Sequence, residues 1–133
     1  MKIVNCLRHP AVFFVDGRKV VLPPSGKVVR IRTRQHVVGY AYIKEAEVPI
    51  VQNEVIEVVG LPSVCENCRR DCKHQDGRTY CHMQQPKVMY LVSSLVANML
   101  YKRKDLLAPD TSPESVVRRR GRVVGVRRLQ RWC

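Results

Sequence analysis

Runs of β-branched and aromatic residues, broken by turn residues, make the first sixty or so residues read as β structure. Ala11 to Leu22 is two runs of β-branched and aromatic residues, AVFFV and RKVVL, joined by Asp16-Gly17. That dipeptide favours a two-residue hairpin turn. Pro23-Pro24-Ser25-Gly26 then interrupts the pattern. From Val28 to Arg34, Arg30, Arg32 and Arg34 alternate with Val29, Ile31 and Thr33. A period of two puts the three guanidinium groups on one sheet face. Val37 to Ile43 and Val48 to Val59 read as further strands, with Glu45, Glu47, Glu54 and Glu57 placed to partner some of those arginines. Gly60-Leu61-Pro62 closes this region.

After a long polar stretch, Lys87 to Val92 (KVMYLV) resumes as an apolar strand. Ser93-Ser94 offers an N-cap for a short helix, SLVANMLYKRK, with an apolar stripe of Leu95, Val96, Met99 and Leu100. Lys102 to Lys104 fall at its negative C-terminal end. Asp105 to Ala108 suits another short strand. Pro109 to Pro113 is a rigid polar turn, and Ser115 to Leu129 predicts a last hairpin turning near Arg120-Gly121. The pattern predicts a single domain over 1–133 of α+β class. It is a mainly antiparallel β-sheet with one short helix and, at 61–86, an inserted Cys/His-rich loop stapled by a metal or by disulfides.

That loop carries the most specific chemistry. VCENCRRDCKHQDGRTYCHM, Val64 to Met83, holds Cys65, Cys68, Cys72 and Cys81 with His74 and His82. Zn²⁺ favours tetrahedral thiolate and imidazole donors, and Cys-x-x-Cys turns two sulfurs toward one ion. Cys72 lies one helical turn beyond Cys68, so three sulfurs can converge. A fourth ligand returns after Asp76-Gly77. The expected set is Cys65, Cys68, Cys72 and Cys81, with His74 or His82 as the alternate last ligand. Four protein donors close a site, which makes this zinc structural rather than catalytic. The competing expectation has no metal, with Cys65 or Cys68 disulfide-bonded to Cys72 or Cys81. Cys6 and Cys133 are either single thiols or paired with each other.

Charge narrows the partners. The chain has 24 Lys+Arg against 11 Asp+Glu, for +13. Residues 118–131 hold seven arginines (Arg118, Arg119, Arg120, Arg122, Arg127, Arg128, Arg131) and no acid. Such a segment attracts polyanions, so nucleic acid or a nucleotide is the expected partner. The alternative is a solvated Arg-rich face of a thermostable protein. No apolar run reaches membrane-spanning length, and the N-terminus does not read as a signal peptide. The expectation is therefore no membrane and no secretion.

Catalytic patterns do not emerge. There is no Gly-rich phosphate loop, no Gly-x-Ser-x-Gly elbow and no His-Glu-x-x-His. His9, before Pro10, reads as a buried hydrogen-bonded histidine. His36 has no evident companion. Trp132 reads as a core residue before a stacking platform. The protein is expected not to be an enzyme.

An ordered set of pieces carries a resemblance: Asn5 to Val12 (NCLRHPAV), Leu22 to Arg30 (LPPSGKVVR), Val48 to Val51, Gly60 to Pro62, Tyr90 to Ala97 (YLVSSLVA), Arg103 to Thr111 (RKDLLAPDT) and Val117 to Leu129. In this order the chain resembles a family of small, mostly uncharacterised proteins of phages and archaeal viruses. Its Val- and Arg-rich composition with a stapled loop is similar to open reading frame products of a spherical virus of hyperthermophilic archaea. The resemblance implies an α+β fold with a mainly antiparallel sheet, a viral source, a place in host cytoplasm or virion interior, and self-association. More loosely, the chain is similar to viral anti-defence sponges for cyclic nucleotide signals. If it worked that way, Arg30, Asn98, Arg103 and Thr111 are the polar residues suited to phosphate and adenine.

The expected function is a non-enzymatic viral accessory protein whose basic surface binds nucleic acid. A small-nucleotide sponge and a virion or assembly protein are the alternatives.

Overall fold

The computed structural model describes residues 1–61, 86–101 and 103–132. In chain order the elements are β1 (Lys2–Asn5), β2 (Ala11–Val15), β3 (Arg18–Leu22), β4 (Arg30–Ile43) and β5 (Ala46–Val59). Then come β6 (Val88–Leu91), α1 (Ser94–Met99), β7 (Leu106–Pro109), β8 (Val116–Arg119), β9 (Arg122–Val126) and β10 (Leu129–Gln130).

Three tight hairpins account for most of the strand content. β2 pairs with β3 around Asp16-Gly17, β4 with β5 around Lys44-Glu45, and β8 with β9 around Arg120-Gly121. Both central residues of each turn have positive φ: 51° and 74°, 50° and 67°, 54° and 77°. Those are the two-residue turns whose twist matches that of the flanking strands. β4 and β5 form one continuous ribbon of 14-residue strands, where the alternation alone suggests three shorter strands.

The core sheet is built from distant pieces. Its order is β1-β6-β7-β10, with β1–β6 and β6–β7 parallel and β10 antiparallel to β7. α1 makes the crossover from β6 to β7. β6 is covered on both faces, which is why its sequence is an unbroken apolar run. Met89 and Leu91 pack with Leu7, Ala11 and Leu107 on one side. Tyr90 and Val92 pack with Val96, Ala97, Leu100, Leu106 and Ala108 on the other.

A second sheet, β3-β2-β9-β8, closes the first side, placing Phe13 and Leu22 against Met89 and Leu91. Its two hairpins meet through β2 and β9, parallel at Phe13↔Val126. A Cβ on Gly125 would lie 2.7 Å from the Phe14 ring and 2.8 Å from the Val12 carbonyl, so this approach requires glycine. On the opposite side, α1 and the base of the β4–β5 ribbon, through Ile31 and Val58, cover the core.

The architecture is thus mostly β with one short helix, as the pattern predicts, but its central pairings are parallel. The helix differs from expectation in phase and length. Ser93 caps it, its Oγ accepting from the Val96 amide at 3.3 Å. Val96, Ala97 and Leu100 are buried, whereas Leu95 is 65% exposed. The helix stops at Met99, short of the basic residues expected at its end. Arg103 turns inward instead, its guanidinium 2.6 Å and 2.9 Å from the Asp105 carboxylate. A bidentate buried pair outweighs the few tenths of a kcal/mol offered by a helix terminus.

Candidate nucleic-acid interface

The β8–β9 hairpin concentrates charge in a way its local structure does not favour. Arg119 lies directly opposite Arg122 across the two strands, with Arg120 in the turn between them. Like charges facing each other across an antiparallel pair are destabilising. Arg120 also adopts φ 54°, a region where a β-carbon costs about 1 kcal/mol and where Asn, Asp or Gly is preferred. The Asp16-Gly17 turn makes the comparison, since it places a preferred residue in the same position. An irregularity between Val117 and Arg118 shifts the register just before the charged end.

Partners within the protein relieve this charge only in part. Arg119 stacks over Phe14 with its guanidinium carbon 5.6 Å from the ring centroid, a cation–π contact. Arg118 donates to the Gly121 carbonyl at 3.3 Å. Among the described residues, no carboxylate pairs with Arg118, Arg119, Arg120 or Arg122. All four are exposed. The result is four fixed positive charges around one rigid turn.

The other three predicted arginines lie elsewhere. Arg127, at the far end of β9, donates to the Val116 carbonyl at 3.2 Å. Arg128 is committed to the 110–112 turn: its Nε is 2.9 Å from Asp110 Oδ2, and a terminal nitrogen is 3.1 Å from Ser112 Oγ. Asp110 also accepts from the Ser112 amide at 2.9 Å. Those hydrogen bonds to Ser112, with the Arg128 charge, hold its carboxyl below the usual range. Arg131 is exposed beyond β10. The predicted seven-arginine surface is therefore a cluster of four with three outliers.

The small-ligand set does not gather into one cavity. An open cavity of about 810 Å³ between the ribbon and the end of α1 is lined by Asn98, His36, Gln52, Asn53 and Glu54 among others, but not by Arg30, Arg103 or Thr111. Arg103 is buried on Asp105, and Thr111 is exposed in the loop before β8. Arg30 begins β4, opposite Val59. On the same ribbon Arg32 pairs with Glu57 at 2.9 Å, so the arginine-bearing strand is partly neutralised as the nearby acids suggest. His36 does have a companion, Glu54 at 2.9 Å. Glu54 is held below its ordinary range first by that hydrogen bond and then by the neighbouring charges of His36 and Arg34.

His9 is exposed rather than buried, its ring 2.9 Å from the Pro10 carbonyl. Proline beside it keeps the ring on a surface turn. Trp132 is 41% exposed, not a core residue, because the short β10 ends the packed sheet before it. The expected zinc ligands Cys65, Cys68, Cys72 and Cys81, with the alternates His74 and His82, lie outside the described residues. So does Cys133, while Cys6 is buried in the core. The Phe14–Arg119 stack was not visible in the sequence, since it depends on β2 and β9 being neighbours. The one available signal was an arginine in a turn position that prefers Asn, Asp or Gly.

Fold and site together define a small basic protein of mixed β-sheets with one arginine-tipped hairpin. No protein-family model matches the chain, and neither a curated protein nor a solved structure matches it.

Proposed function

We propose that this is a non-enzymatic viral accessory protein that binds nucleic acid through the β8–β9 hairpin. The viral origin follows from the resemblance of the ordered sequence pieces. What carries the binding reading is one observation: Arg119, Arg120 and Arg122 crowd a turn whose strain and like-charge repulsion nothing acidic among the described residues offsets. A phosphate backbone supplies that offset. Phosphate contacts position a protein without reading sequence, so the binding is sequence-tolerant. Phe14 already underlies Arg119, and the hairpin presents no aromatic side chain for base stacking.

The test is an anisotropy titration of labelled duplex DNA, single-stranded DNA and RNA between about 50 and 200 mM salt. With four arginines neutralising phosphates, log K should fall against log salt with a slope of roughly −3 to −4. Replacing Arg120 and Arg122 by Ala should make that slope shallower by about two units, at any sequence. An unchanged slope in the double variant would sink the assignment. Stoichiometric saturation by a small nucleotide with little salt dependence would instead favour the sponge alternative. Saturation by neither would favour the virion or assembly role.

A further inference from the structure

The β4–β5 ribbon is longer than its role in the core requires. Among the described residues, only its base is packed into the core, through Ile31 and Val58. At about 3.3 Å per residue, 14-residue strands reach roughly 45 Å. In the outer half the charged side chains are Lys44 and Glu45, in the turn, and Glu47. In register, Gly39↔Ile50, Ala41↔Val48 and Ile43↔Ala46 share one face, and Tyr40↔Pro49 and Tyr42↔Glu47 share the other. Val37 and Val51 oppose each other just inside them. Val37, Val38, Tyr40, Tyr42, Ile43, Val48, Ile50 and Val51 are each 38–76% exposed.

Such a ribbon is not self-sufficient. An isolated two-stranded hairpin is marginal in water, and one that is apolar on both faces has no solvent side. β4 and β5 pair only with each other among the described strands.

Charge decides what covers it. Residues 30–59 contain Arg30, Arg32, Arg34 and Lys44 against Glu45, Glu47, Glu54 and Glu57, so the ribbon is neutral and the whole net charge of +13 lies outside it. A polyanion gains nothing there, and an acidic protein would be drawn to the body instead. Two copies of a chain this basic repel each other overall, and the neutral ribbon is where that repulsion is weakest. We infer that the outer half of the β4–β5 ribbon is a self-association arm, covered on both faces by a second copy of this chain. The contact is face to face: Pro49 has no amide hydrogen, which interrupts strand addition along the outer edge of β5, and the register irregularity between Val37 and Gly39 breaks the edge of β4.

The test is mass by light scattering and sedimentation equilibrium on the nuclease-treated full chain, over a range of concentration and salt. The wild type should form a dimer or larger closed oligomer. Its association should tighten as salt rises, because screening removes the repulsion between the basic bodies. That is the opposite sign to nucleic-acid binding, so the two readings fail separately. I50E on one face and Y42E on the other should each weaken association roughly tenfold or more. Both sites are exposed, so far-UV circular dichroism and the melting temperature should stay close to wild type. V48T, which keeps the shape and adds no charge, should weaken association less than I50E. A wild type that stays monomeric at every concentration and salt overturns the inference. So do I50E and Y42E chains, folded by circular dichroism, whose mass is unchanged.

Discussion

Asn5 shows how much one polar side chain settles in this fold. It is 2% exposed, and every hydrogen-bonding group on its amide is used inside the protein. Nδ2 donates to the His9 carbonyl at 3.2 Å and the Leu22 carbonyl at 3.0 Å, while Oδ1 accepts from the Leu7 amide at 2.9 Å. One residue thus ties the end of β1 to the loop before β2 and to the end of β3. N5D replaces two donors by an oxygen facing two carbonyls in a dry site. It should cost about 2–4 kcal/mol by chemical denaturation; a loss well under 1 kcal/mol would show that the corner is held by something else. Asp110 gives a pH-dependent counterpart. Its carboxyl is held low in the fold, so its contribution is full above the unfolded carboxylate pKa of about 3.9. That contribution is lost as pH falls through the lower folded value. D110N should therefore flatten the acid limb of the melting-temperature profile below about pH 4 and leave its shape above pH 5 unchanged.

At the scale of elements, the hairpins follow directly from local chemistry. Asp16-Gly17 and Arg120-Gly121 each pair a turn dipeptide with flanking β-branched runs, and each turn is where the pattern puts it. The ribbon turn carries no such signal. Lys44-Glu45 contains neither Gly nor Asn, yet both residues take positive φ, so the surrounding register holds the turn against local preference. The helix differs in phase from the expected stripe because LVANML is apolar at nearly every position. Such a run names a buried helix without saying which side is buried. The cysteine loop is an element of another kind, and the proposal that it holds structural zinc rests on ligand spacing. Purified protein should contain about one zinc per chain, with four cysteines becoming reactive to a thiol reagent only after chelation. Metal-free protein with few titratable thiols would establish disulfides instead.

For the whole molecule, charge and apolar surface are sorted into separate places. Basic residues crowd the β8–β9 tip, while the long ribbon is neutral and its outer half is largely apolar. Salt should therefore act in opposite directions on the two proposed contacts, loosening phosphate binding and tightening self-association. A single salt series on wild-type protein, read by anisotropy and by mass, separates them. Parallel trends in the two readouts would mean that one contact produces both signals. No helix among the described residues is long and apolar enough to cross a membrane.

The sequence by itself determined what depends on neighbours along the chain. It set the strand periods, the Asp-Gly and Arg-Gly turns, the Ser93 cap, the basic C-terminal segment and the ligand spacing of the cysteine loop. Periodicity and turn chemistry act over a few residues, so they survive without tertiary contacts. Only the tertiary structure decided which strands meet across long separations. The parallel pairings β1–β6, β6–β7 and β2–β9 join residues with no local signal connecting them. Their choice depends on burying Met89, Tyr90, Leu91 and Val92 from both sides at once. Those pairings turned Arg103 inward onto Asp105 and set Phe14 under Arg119. They also left the apolar ribbon uncovered among the described residues, because burial is a property of the whole packing and not of any one segment.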